Sequence, residues 1–198
     1  MAEHYFSEPS GPHRPRTVRF RVDAQDYALA SDAGVFSADR LDPGSGVLLR
    51  AVPTSTGTTV LDLGCGYGPL TCVLARRNPA ATIWAVDVNP RARALTRANA
   101  DTLGVGGRVR VHAPEEVPAG VRFDEIWSNP PVRIGKPALH ALLTTWLDRL
   151  RPDGVAWLVV ARNLGSDSLA RWLVAQGYGC HRHDSVRGYR VLRVTRAF

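Results

Sequence analysis

The chain has 198 residues, enough for one domain with a substantial buried core. Hydrophobic residues make up 44% and charged residues 22%, which is ordinary for a soluble globular protein, and no apolar run approaches the ~20 residues that span a bilayer. The net charge of +7 and a pI near 10.0 favour a polyanionic partner, because basic side chains that neutralise phosphates release counterions.

The N-terminus has no basic segment followed by an apolar core, so no signal peptide is expected. Cys65, Cys72 and Cys180 are odd in number and lack C-x-x-C spacing. No disulfide, no metal and a cytoplasmic location are therefore expected. The reading is of a single domain, 1–198, with an arm and flanking segment at 1–57 and a core at 58–198.

In chain order, residues 1–19 are rich in Pro, His and Arg and predict an irregular arm. Extended pieces are expected at 18–22 and 27–29. Asp42-Pro43 predicts an N-cap and first helical residue, opening a helix to about Val52. From there strands and helices alternate: a strand at 59–63, a helix at 69–77, a strand at 81–87, a helix from Asn89-Pro90 to about Leu103, and strands at 109–112 and 123–128. Residues 137–150 carry Leu139, Leu142, Leu143, Trp146, Leu147 and Leu150 at helical spacing. The continuous apolar run 155–160 suits a strand covered on both faces. A helix at 168–176 follows, and strands 180–186 and 189–196 are joined only by Arg187-Gly188. So short a link forces an antiparallel hairpin. The pattern is a doubly wound, mostly parallel α/β sandwich that ends in a reversed strand.

Three motifs carry chemistry. In Val60-Leu61-Asp62-Leu63-Gly64-Cys65-Gly66-Tyr67-Gly68 an apolar strand enters a glycine-rich turn before a helix, where glycine lets the backbone approach a ligand closely. The dinucleotide fingerprint G-x-G-x-x-G would need glycine at Pro69, and the third glycine is instead Gly68. Asp87 ends the next strand, where a carboxylate can accept from both ribose hydroxyls of a nucleoside. Asn89 already fills the capping role there, and by position Val88 packs on the adenine. The third motif is Ser128-Asn129-Pro130-Pro131-Val132-Arg133. Its consecutive prolines fix φ and remove backbone donors. The Asn129 oxygen and the Pro130 carbonyl can then point at one amino group. That arrangement suits methylation of a conjugated exocyclic amine, whose lone pair must be turned out of the ring plane towards a methyl donor.

These motifs, with His4-Tyr5-Phe6-Ser7, Gly34-Val35-Phe36-Ser37, Leu41-Asp42-Pro43-Gly44-Ser45 and Arg187-Gly188-Tyr189-Arg190-Val191, resemble the "small" methyltransferase domain family, which includes the ribosomal RNA small subunit methyltransferases C. The resemblance implies a Rossmann-like class I methyltransferase with a seven-stranded sheet. It implies S-adenosyl-L-methionine as donor, S-adenosyl-L-homocysteine as product, and guanine-N2 methylation in ribosomal RNA or a ribosomal subunit. It assigns Phe36, Asp62, Gly64, Cys65, Gly66, Gly68, Asp87, Val88 and Ala113 to the cofactor. It assigns Asn129 and Pro130 to catalysis, and Phe36, Ser37, Pro131, Val132 and Arg133 to the substrate.

The chain departs from the pattern at two places. Val132 stands where related enzymes place a stacking aromatic, so stacking is expected from Phe36. His112-Ala113-Pro114 stands where an Asp is common, so adenine recognition is expected from backbone groups or from Glu115. Adenine N6 in RNA or DNA, a protein glutamine amide, and a silent cofactor- or RNA-binding module are the competing readings. Arg14, Arg16, Arg19, Arg21, Arg190, Arg193 and Arg196 are candidate RNA contacts. His181-x-His183 is read as a surface pair, and the tryptophans as core. The oligomeric state is open, with a monomer slightly favoured.

Overall fold

The computed structural model describes residues 12–52 and 54–196, so the His4–Ser7 motif lies outside the described residues. Strands β1 (Arg16–Val22) and β2 (Gln25–Ser31) form an antiparallel hairpin of their own. Helix α1 (Pro43–Ala51) follows. The core runs β3 (Thr59–Leu63), α2 (Pro69–Arg77), β4 (Thr82–Val86), α3 (Pro90–Thr102), β5 (Val109–His112), β6 (Phe123–Ser128), α4 (Lys136–Leu147), β7 (Leu150–Ala161), α5 (Ser166–Ala175), β8 (Gly179–Val186) and β9 (Tyr189–Thr195).

The strand order is β5-β4-β3-β6-β7-β9-β8. The first five are parallel, and β9 runs antiparallel to both β7 and β8. The topology follows from side-chain alternation. Val60, Ile83, Trp127 and Val159 face one side, where they pack with Leu48 and Leu49 of α1 and Val73 and Leu74 of α2. Leu61, Ile126 and Leu158 face the other side, against Leu143 and Leu147 of α4 and Leu173 of α5. Strands buried on both faces read as continuous apolar runs, and each fully buried Leu here contributes about 1.5–3 kcal/mol. Among the described residues no helix is long and apolar enough to cross a membrane.

Two differences from the sequence reading have physical causes. The expected irregular arm becomes strand at Arg16, because β1 and β2 pair across a tight turn at Asp23 and Ala24, with φ of 52° and 60°. Turns of this hand usually take Asn-Gly or Asp-Gly, so Asp-Ala gives a weak signal. The hairpin is then tied to α3 by the Asn99 amide, which accepts from Ala30 N at 2.7 Å and donates to Ala30 O and Tyr67 O, both at 2.8 Å.

The second difference is that α4 stops at Leu147. Leu150, in phase with the apolar stripe of the helix, instead starts β7 and pairs with Phe123. Pro152 disfavours helix at the residue before it, and β7 carries it at a register shift, where a strand tolerates proline.

Candidate active site

The C-terminal ends of the parallel strands meet around a cavity of about 350 Å³, the place where open α/β sheets bind ligands. One wall is the turn after β3. Gly64 and Gly66 have φ of 78° and 58°, and a Cβ on either would meet nothing within 4 Å. Bare backbone there forms a cradle that a side chain would fill. Gly64 N and Cys65 N both donate to Val86 O, at 2.8 and 3.0 Å, which pins the turn to β4. Gly68 does not line the cavity. Its φ of 93° and a would-be Cβ only 3.0 Å from Thr96 Oγ1 show that close packing on α3 demands glycine there.

Asp62 and Asp87 support this turn from outside the cavity. Asp62 is fully buried, and its Oδ2 accepts from Thr71 N and Thr71 Oγ1 at 2.9 and 2.6 Å. Its Oδ1 is buried with no partner. Burial pushes the Asp62 carboxyl up to about 7, against the Thr71 bonds that favour the ionised form. Asp87 accepts Gly66 N through Oδ2 and Asn89 N through Oδ1, each at 2.9 Å. Burial raises its pKa as well, again against these backbone donors. Val88 N is a further backbone donor to the carboxylate, which keeps an unused lone pair.

The Asn89 side chain caps α3 by accepting from Arg91 N at 2.9 Å, and its Nδ2 holds Gly34 O at 2.9 Å. That bond anchors the segment carrying Phe36 and Ser37, both of which line the cavity. Val88 and Ala113 lie outside the lining. Ala113 N donates to Glu116 Oε2 at 2.7 Å, and Ala113 O accepts Glu116 N at 3.1 Å.

The opposite wall is the turn after β6, formed by Asn129 with Pro130, Pro131, Val132 and Arg133. Pro131, with φ −75° and ψ 68°, makes an inverse γ-turn in which Val132 N donates to Pro130 O at 2.8 Å. The turn is therefore stiff, and half of the acceptor capacity expected of the Pro130 carbonyl is used internally. Asn129 Nδ2 donates to Asp42 Oδ1 at 2.6 Å and to Ser45 Oγ at 3.2 Å. Asp42 is the N-cap of α1, as its sequence suggests, and it accepts Ser45 N at 3.0 Å. Its reach across the cavity to Asn129 had no local sequence signal. Val160 at the end of β7 and Tyr189 at the start of β9 complete the lining.

Among the described residues no group of three His, Cys, Asp or Glu is placed to hold a metal. His183 meets Ala51 O at 3.0 Å and Trp157 edge-on, so it is occupied by packing. Several candidate RNA arginines are likewise engaged: Arg16 with Asp39, Arg21 with Asp26 at 3.8 Å, Arg190 with Asp167, and Arg196 with Leu150 O at 3.1 Å.

A doubly wound sheet of this order, with a reversed strand beside β7 and a glycine cradle at the end of β3, is the architecture of Rossmann-like class I methyltransferases. The sequence matches the family Methyltransferase small domain over residues 26–193, and the chain belongs to that family. It is 36% identical over 174 residues to the uncharacterized protein YbxB of Bacillus subtilis, covering 85% of this chain and 86% of that one. It is 35% identical over 166 residues to the ribosomal RNA small subunit methyltransferase C of Aeromonas hydrophila, covering 78% of this chain and 48% of the relative. Among solved structures, the Thermus thermophilus 16S rRNA N2 methyltransferase RsmC, in complex with AdoMet and guanosine, superimposes with a TM-score of 0.80 at 27% identity over 93% of this chain and 51% of that one. The chain thus spans about half the length of the methyltransferase C relatives it matches.

Proposed function

We infer that the protein transfers the methyl group of S-adenosyl-L-methionine to an exocyclic amino group, that of guanine N2 in small-subunit ribosomal RNA. The observation that carries this reading is the fixed Asn129 amide. A carboxylate can only accept, so the atom facing Asp42 is the amide nitrogen. The Asn129 oxygen is left as a free acceptor at the cavity wall.

The glycine cradle and the orphaned Asp62 oxygen fit a bound cofactor. Gly64, Cys65 and Gly66 would hold its amino-acid end, with Asp62 beneath, and Phe36 would cover it. Asp87 has the acceptor capacity for its ribose, while Val88 and Ala113 flank its base. When bound, S-adenosyl-L-methionine supplies an electrophilic methyl carbon on a sulfonium.

The acceptor side is the work of this chain's own residues. The Asn129 oxygen and the remaining lone pair of the Pro130 carbonyl accept the two N–H groups of the amine. Its nitrogen lone pair then turns out of conjugation, towards the donor. On taking up the methyl group the nitrogen would become acidic and would lose a proton to water, so no strong base is needed. Phe36, which is 58% exposed at the cavity, supplies the stacking face that Val132 lacks. The target base must be unpaired or flipped to reach this depth. RNA is favoured over other acceptors by the net charge of +7 and by the ribosomal RNA for which the methyltransferase C relatives are named.

The test is methyl transfer to 30S subunits, 50S subunits, naked RNA and DNA, followed by nucleoside mass spectrometry. N2-methylguanosine is the expected product. N6-methyladenosine or methylated glutamine would remove the guanine assignment, and cofactor binding without turnover on any substrate would remove the enzyme assignment.

A further inference from the structure

The two carboxylate oxygens of Asp42 have different surroundings. Oδ1 is saturated by Ser45 N at 3.0 Å and Asn129 Nδ2 at 2.6 Å. Oδ2 has no partner among the described residues, and it is not one of the buried unpaired atoms, so it is accessible. Asp42 and Asn129 line the same cavity. Asn129 Oδ1 and Asp42 Oδ2 are thus the free acceptors of two bonded side chains that share one polar edge of the cavity, Asp42 also bordering a smaller adjoining pocket with Arg50 and Arg187.

We propose that Asp42 is the residue that selects guanine, its Oδ2 accepting the base's N1–H while Asn129 accepts the neighbouring N2–H. This rests on the amino-group reading given above. Donor and acceptor order along the base edge makes the selection. Next to its exocyclic amine, guanine presents a second donor, N1–H. Adenine places an N1 lone pair beside N6, and cytosine places an N3 lone pair beside N4. A carboxylate oxygen at this position attracts the first base and faces a lone pair in the other two. A buried polar group left facing a lone pair loses its solvation with no return, which is how a site built to bind an N–H rejects an analogue lacking it. The same carboxylate fixes the amide that works on the amine, so recognition and orientation share one side chain.

The substitution Asp42→Asn separates these tasks. Asn caps a helix as well as Asp, so α1 keeps its start. The position facing Ser45 N and Asn129 Nδ2 must remain an acceptor, so the amide oxygen takes it. The NH2 group then replaces Oδ2, and a donor faces the base where an acceptor stood.

Binding of guanosine, 2-aminopurine riboside and adenosine is measured by calorimetry on the protein saturated with S-adenosyl-L-homocysteine. 2-Aminopurine keeps the 2-amino group but has a bare N1. Wild type should prefer guanosine over 2-aminopurine riboside by about 10- to 100-fold, the range of a hydrogen bond to a charged group. Asp42→Asn should reverse that order. Equal weakening of both nucleosides in the variant would mean that Asp42 only positions Asn129; this overturns the proposal and leaves the guanine assignment standing. A wild-type preference for adenosine would overturn both. Failure of all three nucleosides to bind at millimolar concentration would overturn the claim that this cavity reads a base edge.

Discussion

Replacing Asp62 with asparagine tests what burial does to a carboxylate beneath the glycine turn. The group is fully buried. Thr71 serves one oxygen and nothing serves the other. Its pKa rises from the ordinary 3.8 to about 7, chiefly through burial, with the Asp87 charge adding to the rise. The thiols of Cys65 and Cys72 are raised by burial too, Cys72 to about 12, and stay neutral throughout. A raised folded-state pKa means that folding takes up a proton between the two values. The stabilisation is complete below pH 3.8 and is lost as the pH rises through about 7. A rise of roughly three units at about 1.36 kcal/mol each makes the swing roughly 4 kcal/mol. Asparagine matches the protonated form in shape: its oxygen accepts from Thr71, and its NH2 takes the orphan position without titrating. Urea unfolding of both proteins, without cofactor, should show Asp62→Asn gaining on wild type steadily over that pH range and then levelling. A stability difference independent of pH would refute the reasoning, because it would mean that Asp62 is ionised in the fold throughout.

Asn129→Ala should keep cofactor affinity and lose methyl transfer by roughly 100- to 1000-fold, by analogy with removal of one preorganised donor at a reacting centre; full activity in rapid-quench assays would overturn the mechanism. Asp87→Ala should weaken S-adenosyl-L-methionine binding at least tenfold by calorimetry, from the roughly 1.5–3 kcal/mol of a lost charged hydrogen bond. It should also lower the melting temperature, because Gly66 N and Asn89 N lose their acceptor; unchanged affinity in a folded variant would displace the cofactor site. Charge removal at Arg14 and Arg19, whose side chains have no partner among the described residues, should flatten the salt dependence of RNA binding by roughly 0.7–0.9 per arginine. Arg16 and Arg21, already paired with Asp39 and Asp26, should matter less, and an unaltered salt slope in all variants would exclude β1 from the RNA footprint.

The glycine turn and the strand-helix units around it were legible because their information is local. An apolar strand, a glycine turn and a proline-started helix lie within residues 59–77, and Asp87 directly follows the next strand, only a β/α unit later. Periodicity and turn chemistry register such features directly. What escaped was either locally ambiguous or long-range. Leu150 satisfies the helical stripe and the strand equally well, and only its pairing with Phe123 decides between them. The Pro130 carbonyl was expected free, and the inverse γ-turn that occupies it depends on a ψ of 68° at Pro131 that the sequence does not specify. The bond from Asp42 to Asn129 spans 87 positions, and no window of sequence contains both ends.

This division has a physical consequence for how the site divides its labour. The glycine cradle, proposed to hold the donor, is made of backbone on one continuous segment and is pinned to β4 through Val86 O. The acceptor edge is made of side chains from α1, the β6 turn and the start of β9, brought together only by the finished fold. Substitutions at Gly64 or Gly66 should therefore act on cofactor affinity with little change in base preference. Substitutions at Asp42 or Ser45 should change which base is accepted and how well its amine is turned, with the cofactor still held. Kd for S-adenosyl-L-homocysteine and the guanosine-to-2-aminopurine riboside ratio, measured on the same variants, separate the two halves. A Ser45→Ala protein that lost cofactor affinity and kept its nucleoside ratio would show that α1 serves the donor instead.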